Sequence, residues 1–295
     1  MGTSHRHTPS VAGKPNWGNA SAAMTRIASA EERLDQLNKE LKEIEESEDL
    51  GNQEDKEQKK PATASAPYQI FKRQRKLDSQ IQRNYHKAVS YLVKAAGGKN
   101  KVVSGASRAI GRAGVSIAGG FISAISDIVK NGLTDWLGRR GVTSLEGRSC
   151  QDVLDLIRDY IEEDVAGLDN TAANEALEYV LDELGQRAGD DLNSFEELMN
   201  SLLASGEIKN IIDKFFGMYI YSHLSQDFKE KLEYEKGTKV ANETMNEIKE
   251  LILDDIKRSL GGRNASSIDW NTSEGEAFIQ AEFDRILYIM TGDED

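Results

Sequence analysis

Apolar residues recur at helical spacing along most of this chain, and the pattern is most regular in its carboxyl half. Val153, Leu154, Ile157, Ile161 and Val165 share one helical face, with Ser149 placed to cap the first turn. Ala173, Ala176, Leu177, Val180, Leu181 and Leu184 mark a second helix that the pattern ends at Gly185. Ser194 with Glu197 reads as a capping box ahead of Leu198, Met199 and Leu202. The most apolar helix carries Ile208, Ile211, Ile212, Phe215, Phe216, Tyr219, Ile220 and Leu224. Val240, Met245, Ile248, Leu251, Ile252 and Ile256 line the next, before Gly261-Gly262. The last helix shows Phe278, Ala281, Phe283, Ile286, Leu287 and Ile289 behind Ser273 and Glu276. No hairpin turn joins alternating β-branched runs anywhere. The pattern predicts an all-α protein with a body of about eight helices.

The amino-terminal half is less regular. Residues 1–28 are rich in Ser, Gly, Ala, Asn and Pro, which predicts disorder or order induced by a partner. Ser29 to Glu32 fits a helix start, and Ile27, Leu34, Leu37, Leu41 and Ile44 form a short amphipathic stripe. Glu45 to Pro67 reads as a charged linker. From Tyr68 to about Ala96 a basic helix carries Ile70, Leu77, Ile81, Val89, Leu92 and Val93, and Gly97-Gly98 stops it. A small-residue region follows from Val102 to about Trp136, either one tightly packed helix or a helix broken at Gly119-Gly120. Three parts result: a flexible tail with one short helix over 1–67, a basic glycine-containing helical region over 68–147, and an acidic helical domain over 148–295.

Charge sharpens this division. The net charge of −13 is unevenly spread: residues 31–60 carry −6, residues 72–112 carry +10 and residues 148–295 carry −20. Such a basic block either meets a polyanion or packs on the chain's own acidic part. Its candidate contacts are Lys72, Arg73, Arg75, Lys76, Arg83, Lys87, Arg108 and Arg112, with Tyr68, Phe71, Tyr85 and Tyr91 interleaved. Arg and Lys hold phosphate, and aromatic rings stack on bases. The single cysteine, Cys150, excludes an internal disulfide and fits a reducing cytoplasm. The longest weakly polar stretch, Ala113 to Ser126, falls short of the ~20 apolar residues of a membrane span, so a soluble protein is expected.

Motifs of catalysis are weak. Val102 to Ala113 resembles the nucleotide loop of short-chain dehydrogenases, but Ala109 stands where that loop needs bare backbone beside the pyrophosphate. No Gly-x-x-x-x-Gly-Lys-Ser/Thr loop and no His-Glu-x-x-His occurs. His5 and His7 lie in the tail, and His86 and His223 fall in helical patterns, so no metal site is expected. Adjacent acids such as Glu162-Glu163, Asp190-Asp191 and Asp254-Asp255 point about 100° apart on a helix, a poor geometry for paired-carboxylate chemistry.

The amino terminus carries the sharper chemistry. A small residue at position 2 lets the initiator methionine be removed, which frees the amine of Gly2. An α-amino group titrates near pH 7.7–8.0, so roughly a fifth to a third is nucleophilic around pH 7.4. Arg6 stands where myristoylation asks for Ser or Thr, which disfavours lipidation. These features point to a protein that is acted upon or bound, with no enzymatic activity or cofactor of its own.

Taken together, Met1-Gly2-Thr3-Ser4, Pro15-Asn16-Trp17, Gly97-Gly98, Ser107 to Arg112 and Gly147 to Val153 resemble the QatB family, a component of the four-part Qat anti-phage defence system. The likeness is clearest over residues 1–20 and about 90–165, weak over 30–67 and diffuse beyond 170. It implies three partners: an ATPase, a QueC-like enzyme (QatC) and a TatD-like nuclease. QueC-like enzymes activate a carboxylate with ATP and join it to an amine. The resemblance therefore implies an acceptor protein conjugated through Gly2 to a deazaguanine-type base, with Thr3 and Ser4 fitting the tail into the enzyme's pocket. The alternative is a nucleic-acid-binding adaptor that uses the basic helices over 72–112.

Overall fold

The computed structural model describes residues 15–51, 65–142, 144–162, 166–258 and 265–292. Among these residues there are eleven helices and no strand. In order they are α1 (Pro15–Gly51), α2 (Ser65–Ala95), α3 (Lys99–Val103), α4 (Arg112–Asn131), α5 (Leu133–Gly138) and α6 (Cys150–Ile161), then α7 (Leu168–Ala188), α8 (Leu192–Ser205), α9 (Ile208–Lys236), α10 (Thr238–Arg258) and α11 (Ser273–Thr291). The all-α expectation holds, with the short α3 and α5 added to the helices that the periodicity predicts. Val165, Gly261 and Gly262 lie outside the described residues.

The axis of the fold is α9, whose apolar run is buried on nearly every side: Ile208, Ile211, Ile212, Phe215, Phe216, Tyr219, Ile220 and Leu224 are all enclosed. Helices α10, α7, α11 and α1 pack around it. Close approach has specific causes. Gly217 lets α10 in, since a Cβ there would stand 2.4 Å from Ile256 Cδ1. Phe216 stacks on Phe283 of α11 at a centroid distance of 4.1 Å. Helix α4 lies against α7 and α8, with Ile117, Phe121, Ile125 and Ile128 in the core. By length and composition α4 is also apolar enough to cross a membrane, but half of that stretch is buried within the body.

Helix α1 differs most from its sequence pattern. It starts at Pro15, well before Ser29. Proline at a first helical position is itself a start signal, because its missing N–H would have no partner there. The Ser/Gly/Ala-rich run reads as disordered because its apolar face is built of small residues: Ala20, Ala23, Met24, Ile27, Ala28 and Ala30 are all buried. Small side chains allow α1 to lie close along the second half of α9 and parallel to it. Trp17 packs on Phe228 with ring centroids 5.0 Å apart. Lys231 Nζ donates to Ser21 Oγ at 2.5 Å, Thr25 Oγ1 donates to Glu235 at 3.1 Å, and Lys236 pairs with Glu32 at 2.7 Å. Helix α2 returns antiparallel to α1: Gln74 donates to Asn38, while Glu31, earlier on α1, lies within electrostatic reach of Asp78, later on α2. Because α1 runs on to Gly51 and α2 begins at Ser65, the linker expected over Glu45 to Pro67 is shortened at both ends.

Three other boundaries move. Helix α7 passes through Gly185 to Ala188, with Gly189 as its C-cap, because the bare Gly185 accommodates Leu154 Cδ1, which a Cβ would meet at 2.9 Å. Asp191 caps α8 in place of Ser194, and Thr272 caps α11 in place of Ser273. The small-residue helix α4 is continuous through Gly119-Gly120; the break lies earlier, over 104–111. Ser149 does cap α6, in a capping box closed by Asp152.

If α1 belongs to the cooperative body, Ile27→Ala removes a fully buried side chain and lowers unfolding free energy by about 2–5 kcal/mol in urea titrations. An unchanged midpoint would show α1 to be a separate appendage.

Candidate functional site

The residues of greatest chemical interest from the sequence, Gly2, Thr3 and Ser4, lie outside the described residues, as do His5 and His7. The other candidates can be placed.

The loop over 104–111 and the start of α4 form the most heavily bonded buried polar site. Gly111 has a φ of +117°, and a Cβ on it would stand 2.1 Å from the Val102 carbonyl oxygen, so only glycine fits. Ser107 is buried and donates from Oγ to the Ala96 carbonyl at 2.8 Å. Ile110 turns into the core, while Arg108 and Arg112 stay exposed. The amide groups that open α4 converge on Asp169, a buried residue in the first turn of α7. Asp169 Oδ1 accepts from Gly111 N–H at 3.2 Å, and Oδ2 accepts from Ala113 N–H at 2.9 Å. The Tyr219 hydroxyl donates to Oδ1 in a short bond, and His223 Nε2 reaches the same oxygen at 3.2 Å. Burial alone would raise the Asp169 pKa. Bonds from His223, Ala113 N–H and Tyr219 outweigh burial and hold it below the usual carboxylate range. Tyr219 is pushed well above its ordinary value, first by burial and then by the Asp169 charge, so it remains a phenol donor.

This geometry answers the nucleotide-loop question. The backbone amides at the α4 start, which a pyrophosphate would need, are taken by Asp169 and Tyr219. Gly114, the bare position that follows, receives the ring of Tyr219: a Cβ there would stand 2.7 Å from Tyr219 Cε1. The glycines serve packing within the chain.

A second buried cluster joins α9 to α11. Lys209 Nζ lies 2.7 Å from Asp213 and 3.5 Å from Glu282, and Arg285 lies 2.5 Å from Asp213 and 2.6 Å from Glu282. Two acids and two bases close on one another, which removes net charge from the interior. Sequence periodicity does not single these residues out. A signal exists nonetheless: Lys209 and Asp213 stand four apart within the most apolar helix.

Other candidates have structural roles. Cys150 is buried, and burial raises its thiol pKa, so it is not an activated nucleophile. His86 contacts the Met290 carbonyl oxygen through Nδ1 at 3.0 Å. Asp191 caps a helix, and Asp254 faces Lys257 and Arg258. Among the described residues no group of three or more potential ligands could hold a metal ion.

The basic block divides in two. Lys99 pairs with Asp284 at 3.3 Å. Lys72, Arg73, Arg75, Lys76 and Arg83 are exposed on α2, Lys87 is half-buried, and none forms an ion pair among the described residues. Acids crowd the junction of α1, α2 and α10. Glu31 there is raised to about 7, first by burial and then by Glu247, Asp35, Asp78 and Glu243.

A family model described as "Qat anti-phage system associated protein QatB" matches residues 103–290, from the end of α3 into α11. No curated protein and no solved structure matches the chain.

Asp169→Ala would strand buried donors at the start of α4 and on α9 and cost about 3 kcal/mol or more. A depressed folded-state pKa gives stability that is present above the unfolded value near 3.9 and lost as pH falls through the folded one. The wild-type chain should therefore lose stability below about pH 4 more steeply than the variant, which acid titration of the unfolding midpoint reads directly. Glu31 has the opposite sign. Its folded-state pKa is raised, so ionisation costs stability as pH climbs from about 4.5 to 7. Glu31→Gln should stabilise by about 1–2 kcal/mol at pH 8, after discounting for solvent access, and by little at pH 4.5.

Proposed function

The chain belongs to the QatB family and is a component of the Qat anti-phage defence system, with partners inside that system; we propose that it is the system's non-enzymatic acceptor protein, modified at Gly2. The reaction joins the Gly2 amine to a carboxylate that the QueC-like partner has activated with ATP. The nitrogen lone pair attacks the acyl carbon, the carbon–nitrogen bond forms, AMP leaves, and the ammonium proton passes to base or solvent. A deazaguanine-type acid is the group transferred. Thr3 and Ser4 lie in the enzyme's pocket as an extended strand. The Qat ATPase and the TatD-like nuclease meet the helical body, and the assembly works in the cytoplasm.

The observation that carries this reading is the terminus Met1-Gly2-Thr3-Ser4, a small-residue start that frees an uncrowded amine. Two features of the body agree with it. The most heavily bonded buried polar groups are spent on holding helices: Asp169 binds the start of α4, and Lys209, Asp213, Glu282 and Arg285 bind one another. Helix α1 as described begins at Pro15, 13 residues after Gly2, so covalent geometry limits the reach of the amine from that point to about 45 Å. The expected long leash from His5 to Pro67 is thus shorter, because α1 lies on the body, and the QueC-like enzyme has to dock near the junction of Trp17 with Phe228.

Gly2→Pro keeps the methionine removable but leaves a crowded secondary amine, and a serine inserted before Gly2 displaces the acceptor. Both changes should abolish protection from phage in cells carrying the complete system, with the protein present at normal levels. Full protection with either change would reject the acceptor reading.

A further inference from the structure

The outward face of α2 has no role in the acceptor reading. Its buried stripe is Ile70, Leu77 and Ile81. At 3.6 residues per turn, Tyr68, Phe71, Lys72, Arg75 and Arg83 fall within an arc of about 120° on the opposite side. Tyr68 is 65% exposed and Phe71 49% exposed, among the most exposed large hydrophobic side chains described. An aromatic pair three residues apart, left in water beside three cations, is costly unless something covers it. The cations are equally unspent: among the described residues, Lys72, Arg75 and Arg83 make no ion pair, although residues 148–295 carry a net charge of −20. Among the described residues, the chain's own acidic body forms no ion pair with this face. The patch also lies outside residues 103–290, the region shared with the family.

We propose that this face of α2 binds single-stranded nucleic acid, with Lys72, Arg75 and Arg83 on backbone phosphates and Tyr68 and Phe71 stacked on bases. Charge complementarity selects a polyanion, and flat exposed rings among the cations favour unpaired bases over a duplex or an acidic protein. Along the helix, Lys72 and Arg83 are about 16 Å apart, which spreads the contacts over several nucleotides. Beside this face, a groove of about 330 Å³ between α1 and α2 brings Arg73 and Lys76 next to Arg33. Glu40 of α1 lines the same groove and bounds the positive face on that side.

The test is fluorescence anisotropy of the full-length protein with a labelled, mixed-sequence single-stranded DNA oligonucleotide across a salt series starting near 50 mM. The wild-type chain should bind with a logarithmic salt slope of about −2, as three phosphate contacts require. Lys72→Glu with Arg75→Glu and Arg83→Glu should weaken binding at least tenfold and flatten the slope. Tyr68→Ala with Phe71→Ala should weaken it about tenfold and leave the slope unchanged. Lys257→Glu with Arg258→Glu, exposed bases on α10, should change nothing, and circular dichroism should show every variant fully helical. No wild-type binding near 50 mM salt would overturn the proposal. So would equal losses from the α10 variant, or tighter binding to duplex that ignores the aromatic change. Loss of a co-purifying acidic protein from the triple variant, with DNA affinity unchanged, would overturn it in favour of a protein partner.

Discussion

The carboxylate of Asp169 is the interaction on which the arrangement of helices depends. It sits in the first turn of α7 and accepts hydrogen bonds from the start of α4 and from Tyr219, with His223 against it on α9. One anion therefore fixes three elements at their crossing. Its position suits the charge distribution, since the start of a helix carries partial positive charge. A buried carboxylate without such donors would be protonated or expelled, and this one is held ionised by donors from the start of α4 and from α9. The demands around it are equally strict. Gly111 must be glycine for its positive φ and its distance to Val102, and Gly114 must be small to admit the Tyr219 ring.

That constraint explains why Ser107 to Arg112 looks like a ligand loop and is not one. A glycine-containing turn that opens a helix is the general solution for holding an anion, and here the anion is part of the chain. Much of the fold was legible in the sequence for ordinary reasons. The apolar stripes of α6, α7, α9, α10 and α11 repeat at helical spacing, and Ser149 caps where such a residue should. The rest was not, for reasons that can be named. The first turns of α1 bury mainly alanines, which leave little hydrophobic signal, so only Pro15 announces that the helix begins before Ser29. Asp191 and Thr272 outcompete neighbouring serines as caps, a choice settled by backbone geometry at each turn. Asp169 finds its donors far away in sequence, and the Lys209–Asp213 pair on α9 meets Glu282 and Arg285 of α11 only through the fold, so spacing along the chain records the local pair and not the site.

The candidate sites divide along the same line. The proposed chemistry at Gly2 is read from local sequence alone, a small residue in the second position. The α2 surface is legible as composition, and the structure adds that, among the described residues, its bases form no ion pair with the acidic helices, whose own cations pair locally. Residues 103–290 form the family-shared helical core, and the α1–α2 hairpin before it carries the amino terminus on one helix and the basic face on the other.

The central claim is that this component of the Qat system is a modified acceptor. Intact-protein mass spectrometry of the chain, purified from cells with and without the QueC-like partner, tests it most directly. The account predicts an added mass confined to the peptide beginning at Gly2 and present only when that partner is expressed. An unmodified terminus in the complete, protective system would contradict it.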